Sequence, residues 1–245
     1  VHERLGLNDP AAPQWRDTLA RLAPLPVDEQ TGFMVGAGVP FAKSHRHFSH
    51  LLAFYPLHLY DPEDPAHRRL LERSLDHWIG LEGAHQGYSL TGAAAMSAWL
   101  NRAEAVAAFL DRFLSRYVKP NTMYLEAGPV IETPLSAAAS LHELLLQSWC
   151  MEPFGVRLRV FPSVPSEWRD VIIRDLRAEG AFLVSARRRG GITRWIRIES
   201  LAGAPCRLRT GWTGPVAARS ARPCAVTTTT DEQGRPLTIV DLKAG

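Results

Sequence analysis

The sequence is poor in cysteine, with three among 245 residues. Cys150, Cys206 and Cys224 have no metal-ligand spacing, and three thiols cannot build a disulfide scaffold. Cys206 and Cys224 both fall in the C-terminal part. A pair in an oxidising compartment and two free thiols are equally compatible with that placement. No apolar run reaches the roughly 18 residues that a membrane-spanning helix requires, so no membrane partner is expected. A strong excess of one charge is also lacking: Lys+Arg 28 against Asp+Glu 25 leaves +3, too little to imply a nucleic-acid partner. There is no phosphate-binding glycine loop, no CxxC pair and no low-complexity linker, and no cofactor is expected. The opening "VHERLGLNDP" shows neither a start methionine nor a signal peptide. It reads as mid-protein sequence, so the chain is expected to be part of a longer polypeptide.

What is present is an ordinary globular composition, 46% hydrophobic and 22% charged, with two hydrophobic periods. Up to about Trp149 the chain reads as helices with nothing strand-like between them. "PQWRDTLARLAP" spaces Trp15, Leu19 and Leu22 along one helical face. "DPAHRRLLERSLDHWIGL" offers Asp64 as N-cap and Pro65 at the first helical position, with Leu71, Leu75, Trp78 and Ile79 on one side. Asn101 and Glu104 resemble a capping box ahead of Val106, Leu110, Phe113 and Leu114. Thr133-Pro134 opens a further helix lined by Leu135, Ala138, Leu141, Leu145 and Trp149. After Trp149, "VRLRVFPSVP", "GAFLVSARRRGGITRWIRIES" and "CRLRTGW" alternate at the strand period between Gly/Pro turns. "RRGG" predicts a hairpin turn, and "ARRRGG" reads as a basic hairpin or, less simply, as a phosphate patch. Helices followed by strands argue for two domains, 1–150 helical and 151–245 β.

Three stretches carry candidate chemistry. "KSHRHFSHLLAFYP" clusters His45, Arg46, His47 and His50. Its spacing matches no zinc signature, and no carboxylate is close by, so no metal is expected. His50 reads as the structural start of a helix, whereas His45, Arg46 and His47 follow the loop "VGAGVP" and suit a hydroxyl-rich or anionic ligand. "YLEAGPVIETPLS" supplies Glu126 and Glu132, the paired carboxylates that glycoside hydrolysis needs, or else ordinary helix-terminal charge. Glu132 stands at the positive end of the next helix dipole, which suits a base rather than an acid. "GAHQGYSLTGAAAMSAW" puts His85, Gln86 and Tyr88 before a small-residue helix, where they line a pocket or simply form the helix start. Tyr55, Trp78 and Trp149 could stack on sugar rings, but at helical spacing they read as core.

In order, "HRHFSHLLAFYP", "GYSLTGAAAMSAWLNRAEAVAAFL", "IETPLSAAASLHELLLQSW" and "FPSVPSEWRD" resemble the end of glycoside hydrolase family 95, the family of inverting α-L-fucosidases and related enzymes. The resemblance covers most of the chain. It implies part of an (α/α)6 toroid followed by a C-terminal antiparallel β-sandwich. It implies substrate contacts from His45, Arg46 and His47, while His85 and Tyr88 are substrate-binding candidates from their own stretch. Glu132 stands in "IETPLS" where the family carries an Asp within Asp-Gly-Asn-Phe-Gly, so the resemblance makes Glu132 the base and Glu126 the fallback. The family's general acid and its water-positioning asparagines lie upstream, and no matching motif occurs in these residues. The implied partners are therefore a carbohydrate substrate and the upstream part of the same polypeptide. This chain alone is expected to be inactive.

Two other functions fit the same residues. One is a non-catalytic carbohydrate-binding toroid, favoured by the replaced loop Asp. The other is a related glycoside phosphorylase, whose phosphate would sit near the His-Arg cluster.

Overall fold

The computed structural model describes residues 6–126, 128, 130–149, 156–209, 212, 216–220, 223–231 and 234–242. Cys150 lies outside them. Among the described residues the helices precede all of the strands except one short hairpin. The helices are α1 (Ala12–Ala20), α2 (Pro65–Gly80), α3 (Gly87–Trp99), α4 (Ala103–Tyr117) and α5 (Glu132–Leu145).

α2 forms where its signals stand. The Asp64 carboxylate accepts from the backbone N–H groups of Ala66 and His67 at 2.7 and 3.1 Å, and Pro65 fills the first position. Leu71, Leu75 and Trp78 on its inner face are fully buried, each worth about 1.5–3 kcal/mol of apolar transfer. They join Phe33, Phe48, Leu51, Phe54, Met96, Trp99 and Trp149 in one core. Trp78 and Trp149 are thus packing residues. α3 has every residue buried except Tyr88, as expected of a helix apolar all round, and it packs against both α4 and α5.

Several expectations need correction. The stretch before α2 does contain strands: β1 (Val27–Asp28) pairs with β2 (Gly32–Phe33), an antiparallel hairpin too short for any period to show. It docks on α2, where the Phe33 N–H donates to Ser74 Oγ at 2.9 Å. His50 does not head an α-helix. Ser49–Leu51 is a single 3₁₀ turn followed by further turns, held by burial of Leu51 and Phe54. The Asn101–Glu104 capping box is absent. Arg102 is the N-cap, Asn101 sits at φ +57°, and the Glu104 carboxylate accepts instead from the Ser166 N–H at 3.1 Å. α1 ends at Ala20, so Leu22 lies beyond it, and Trp15, Leu19 and Leu22 are all exposed. Leu114 and Leu135 also face outward.

The strands after α5 are β3 (Leu146–Gln147), β4 (Arg157–Val160), β5 (Val171–Ala178), β6 (Phe182–Arg189), β7 (Ile192–Ser200), β8 (Pro205–Arg209), β9 (Val226–Thr230) and β10 (Pro236–Asp241). They form a five-stranded sheet in the order β3-β4-β8-β10-β9 and a three-stranded sheet β5-β6-β7. The pairing is not wholly antiparallel, because β4 runs parallel to β8 with Leu158 opposite Leu208. One apolar cluster draws on both sheets: Leu158 and Leu208 from the first, Ile173, Phe182 and Val184 from the second. The "RRGG" hairpin is present between β6 and β7, with Gly190 and Gly191 at φ +61° and +80° as a two-residue turn of this hand requires. Cys206 and Cys224 are free thiols, and burial pushes the Cys206 thiol up to about 12.

Candidate active site

The loop of residues 43–48 is tied down at the carbonyls of His45 and Arg46 and at the side chains of Ser44 and Phe48, which leaves the side chains of His45, Arg46 and His47 facing outward. Trp78 Nε1 on α2 donates to the His45 carbonyl at 3.3 Å, and Ser89 Oγ on α3 donates to the Arg46 carbonyl at 2.8 Å. The Ala84 N–H donates to Ser44 Oγ at 2.9 Å. Phe48 is the anchor. It is buried, stacks on Tyr88 at 5.3 Å and meets Trp78 edge-on at the same separation. His45, Arg46 and His47 around this anchor are all exposed. The His47 N–H donates to His45 Nδ1 at 3.0 Å, and Arg46 Nε donates to His47 Nε2 at 3.3 Å.

The carboxylates arrive from the other side. A tight turn after α4 brings the chain back, with Val118 bridged to Tyr124 and the Leu125 N–H donating to the Tyr117 carbonyl at 3.0 Å. Tyr124 is buried against Leu90 and Phe113, and its hydroxyl donates to Glu126 Oε2. Burial, and then this carboxylate partner, push the Tyr124 phenol well above its ordinary value, so it is a donor at all working pH. Glu132 is the first residue of α5, where a carboxylate is favoured by the helix dipole.

A cavity of about 400 Å³ joins the two sides, lined by Arg46, His47, Tyr88, Glu126, Glu132 and Thr133 among others. His45 is not part of its lining; its ring packs edge-on against His47 at 5.2 Å. His85 lines a separate cavity with Trp78, Arg112 and Arg116, and burial lowers its pKa. Neither Tyr124 nor Thr133 was a candidate site residue from sequence. A tyrosine two residues before a glutamate carries no local signal, because the contact depends on the turn after α4. Phe48 also lines the cavity, and its apolar identity beside the histidines was the one available hint. Among the described residues no group of three or more His, Cys, Asp or Glu is placed to hold a metal ion.

Residues 1–145 match the Glycosyl hydrolase family 95 catalytic domain. The chain belongs to this family. No curated protein matches it. Membership of glycosyl hydrolase family 95 carries glycoside hydrolysis as the activity, and all of the residues lining the cavity lie inside the matched segment. For this family member the cavity offers a guanidinium, an imidazole and a phenol beside two carboxylates. Such a set can donate to and accept from sugar hydroxyls while keeping a carboxylate for proton transfer.

Proposed function

We propose that the chain is part of an inverting, α-L-fucosidase-type glycosidase in which Glu132 is the general base. The observation that carries this reading is the shared cavity: Glu126 and Glu132 open onto the same space as Arg46 and His47. In this reading residues 1–150 belong to an (α/α)6 toroid and residues 151–245 to a β-sandwich. Arg46, His47 and Tyr88 hold the sugar through its hydroxyls and ring face. Glu132 takes a proton from water as its oxygen attacks the anomeric carbon. An acid from the upstream part of the same polypeptide protonates the departing oxygen, so the anomeric configuration inverts. Tyr124 fixes one oxygen of Glu126, which makes Glu126 an oriented group beside the sugar and the alternative base.

The test uses the full-length polypeptide and aryl α-L-fucosides. Glu132→Gln should lower kcat by about a hundredfold or more with little change in KM, because the amide is nearly isosteric. The first-formed sugar, followed by NMR, should be the β-anomer. Full activity of Glu132→Gln would move the role to Glu126, and a first-formed α-anomer would rule out inversion. Turnover that required inorganic phosphate would identify a phosphorylase instead. The chain of residues 1–245 alone should show no turnover.

A further inference from the structure

Sharing no lining residue with the Glu132 cavity, the outer face of the three-stranded sheet carries a separate cluster. Arg187, Arg189, Arg194 and Trp195 line a cavity of about 370 Å³. The register explains how they meet. Arg187 pairs with Trp195 and Arg188 with Thr193, so Arg194 is the extra residue of a bulge. A bulge re-aims side chains, and here Arg194 and its neighbour Trp195 serve the same cavity instead of alternating across the sheet. Ile172 stands opposite Arg187 on β5 and extends the row, so Ile172, Arg187 and Trp195 cross the sheet together. The other face of these strands, with Ile173 and Ala186, belongs to the core.

The composition of this row is unusual for a solvated face. Trp195 is 41% exposed and Ile172 51% exposed. Nearby Arg197 has its carboxylate, Asp175, at 2.6 Å. None of the guanidinium groups of Arg187, Arg189 and Arg194 has an ion pair or hydrogen bond with a described residue. Asp170, beside the hairpin tip, spends Oδ1 on the Gly190 N–H at 2.8 Å and ties that tip down. Three unpaired forked donors around an exposed indole are complementary to a flat apolar ring bearing a planar anion.

We infer that this face binds an acidic polysaccharide, with the Trp195 indole under a uronate ring and Arg187, Arg189 and Arg194 on its carboxylates. The inference rests on glycans being the family's substrates, but not on Glu132 being the base. Its occupant is a polymer rather than the scissile sugar, because the site lies on the β-strands outside the matched catalytic segment.

The test is affinity electrophoresis of the chain through gels containing polygalacturonate, a neutral galactan of similar size, or sheared duplex DNA. Retardation is expected in polygalacturonate and not in galactan. Trp195→Ala and the double variant Arg187→Gln/Arg194→Gln should each weaken it by about fivefold or more, and raising salt should weaken it further. All three side chains are exposed, so unchanged melting temperatures should accompany the loss. Retardation that survives Trp195→Ala, or equal retardation in DNA, would show generic polyanion binding and overturn the inference. In the full-length polypeptide Trp195→Ala should leave hydrolysis of a small aryl glycoside unchanged. Failure here therefore leaves the Glu132 reading standing, and failure of Glu132→Gln leaves this one standing.

Discussion

His47 and His50 stand three residues apart and meet opposite surroundings, which decides what each can do. His47 is exposed at the cavity, whereas His50 stacks on Phe41 with ring centroids 4.1 Å apart. Burial, helped by the neighbouring His77, pulls His50 from 6.5 down to about 4. His58 stacks on Trp99 at 3.7 Å, and burial takes it down to about 3. Both side chains are neutral in the folded protein at pH 7. In the unfolded chain each titrates at its ordinary value. Between pH 6.5 and about 4 the unfolded state therefore binds more protons than the folded state, so stability rises with pH across that window. The melting temperature should fall as pH is lowered from 6.5 towards 4, and His50→Gln should remove part of that slope. An unaltered slope in the variant would mean that His50 is hydrated in solution.

The helix that supports the cavity depends on two glycines, and only one kind of position tolerates change. A Cβ on Gly92 of α3 would lie 2.1 Å from the Phe48 ring, and one on Gly87 would lie 2.5 Å from the Tyr124 hydroxyl. Gly92→Ala must therefore displace Phe48, which anchors the loop of Arg46 and His47 and stacks on Tyr88. The expected loss is about 1–3 kcal/mol in denaturant unfolding, as for other overpacked cores. KM should rise as well, because the displaced ring lines the cavity. Gly80→Ala, at the end of α2 with nothing within 4 Å, is the control and should be neutral or stabilising by up to about 1 kcal/mol. α3 was legible in sequence because its small residues are contiguous and its neighbours are apolar, and α2 because Asp64 and Pro65 are local signals. Arg46, His47 and Glu132 stood out as candidates by residue type, and all three line the cavity. The 3₁₀ turn at Ser49–Leu51 was not legible. "HLLAFYP" has helical composition but too few residues to hold a helix without tertiary help. The parallel pairing of Arg157 with Arg207 was equally hidden, since it joins segments fifty residues apart and leaves no trace in either one's period.

The helices and sheets are joined by charge as well as by apolar contact. Glu63, in the loop before α2, reaches Arg159 of β4 at 3.0 Å, Arg209 of β8 at 3.3 Å and Arg235 at 2.9 Å. Asp231 completes the network with Arg209 and with Arg235, the latter at 2.8 Å. Arg159 also lies 3.5 Å above the Trp149 ring, so its cation is held between a carboxylate and an indole. Burial raises the Glu63 pKa, but its hydrogen bond to Arg159 and the surrounding arginines outweigh burial and leave it below its ordinary 4.5. The stability this carboxylate contributes is complete above the unfolded value and is lost as pH falls through the lower folded value. That window lies on the acid side of 4.5, below most of the histidine slope. Glu63→Gln leaves several buried guanidinium groups sharing Asp231, the situation in which breaking a buried pair costs on the order of 3 kcal/mol. Its melting temperature at pH 7 should drop by several degrees, and added salt should restore little of it because Arg159 is shielded from solvent. The variant should also lose part of the acid limb below pH 4.5 while keeping the slope between 6.5 and 4. A loss under about 0.5 kcal/mol, or one abolished by salt, would class the network with exposed ion pairs and leave apolar packing as the bond between helices and sheets.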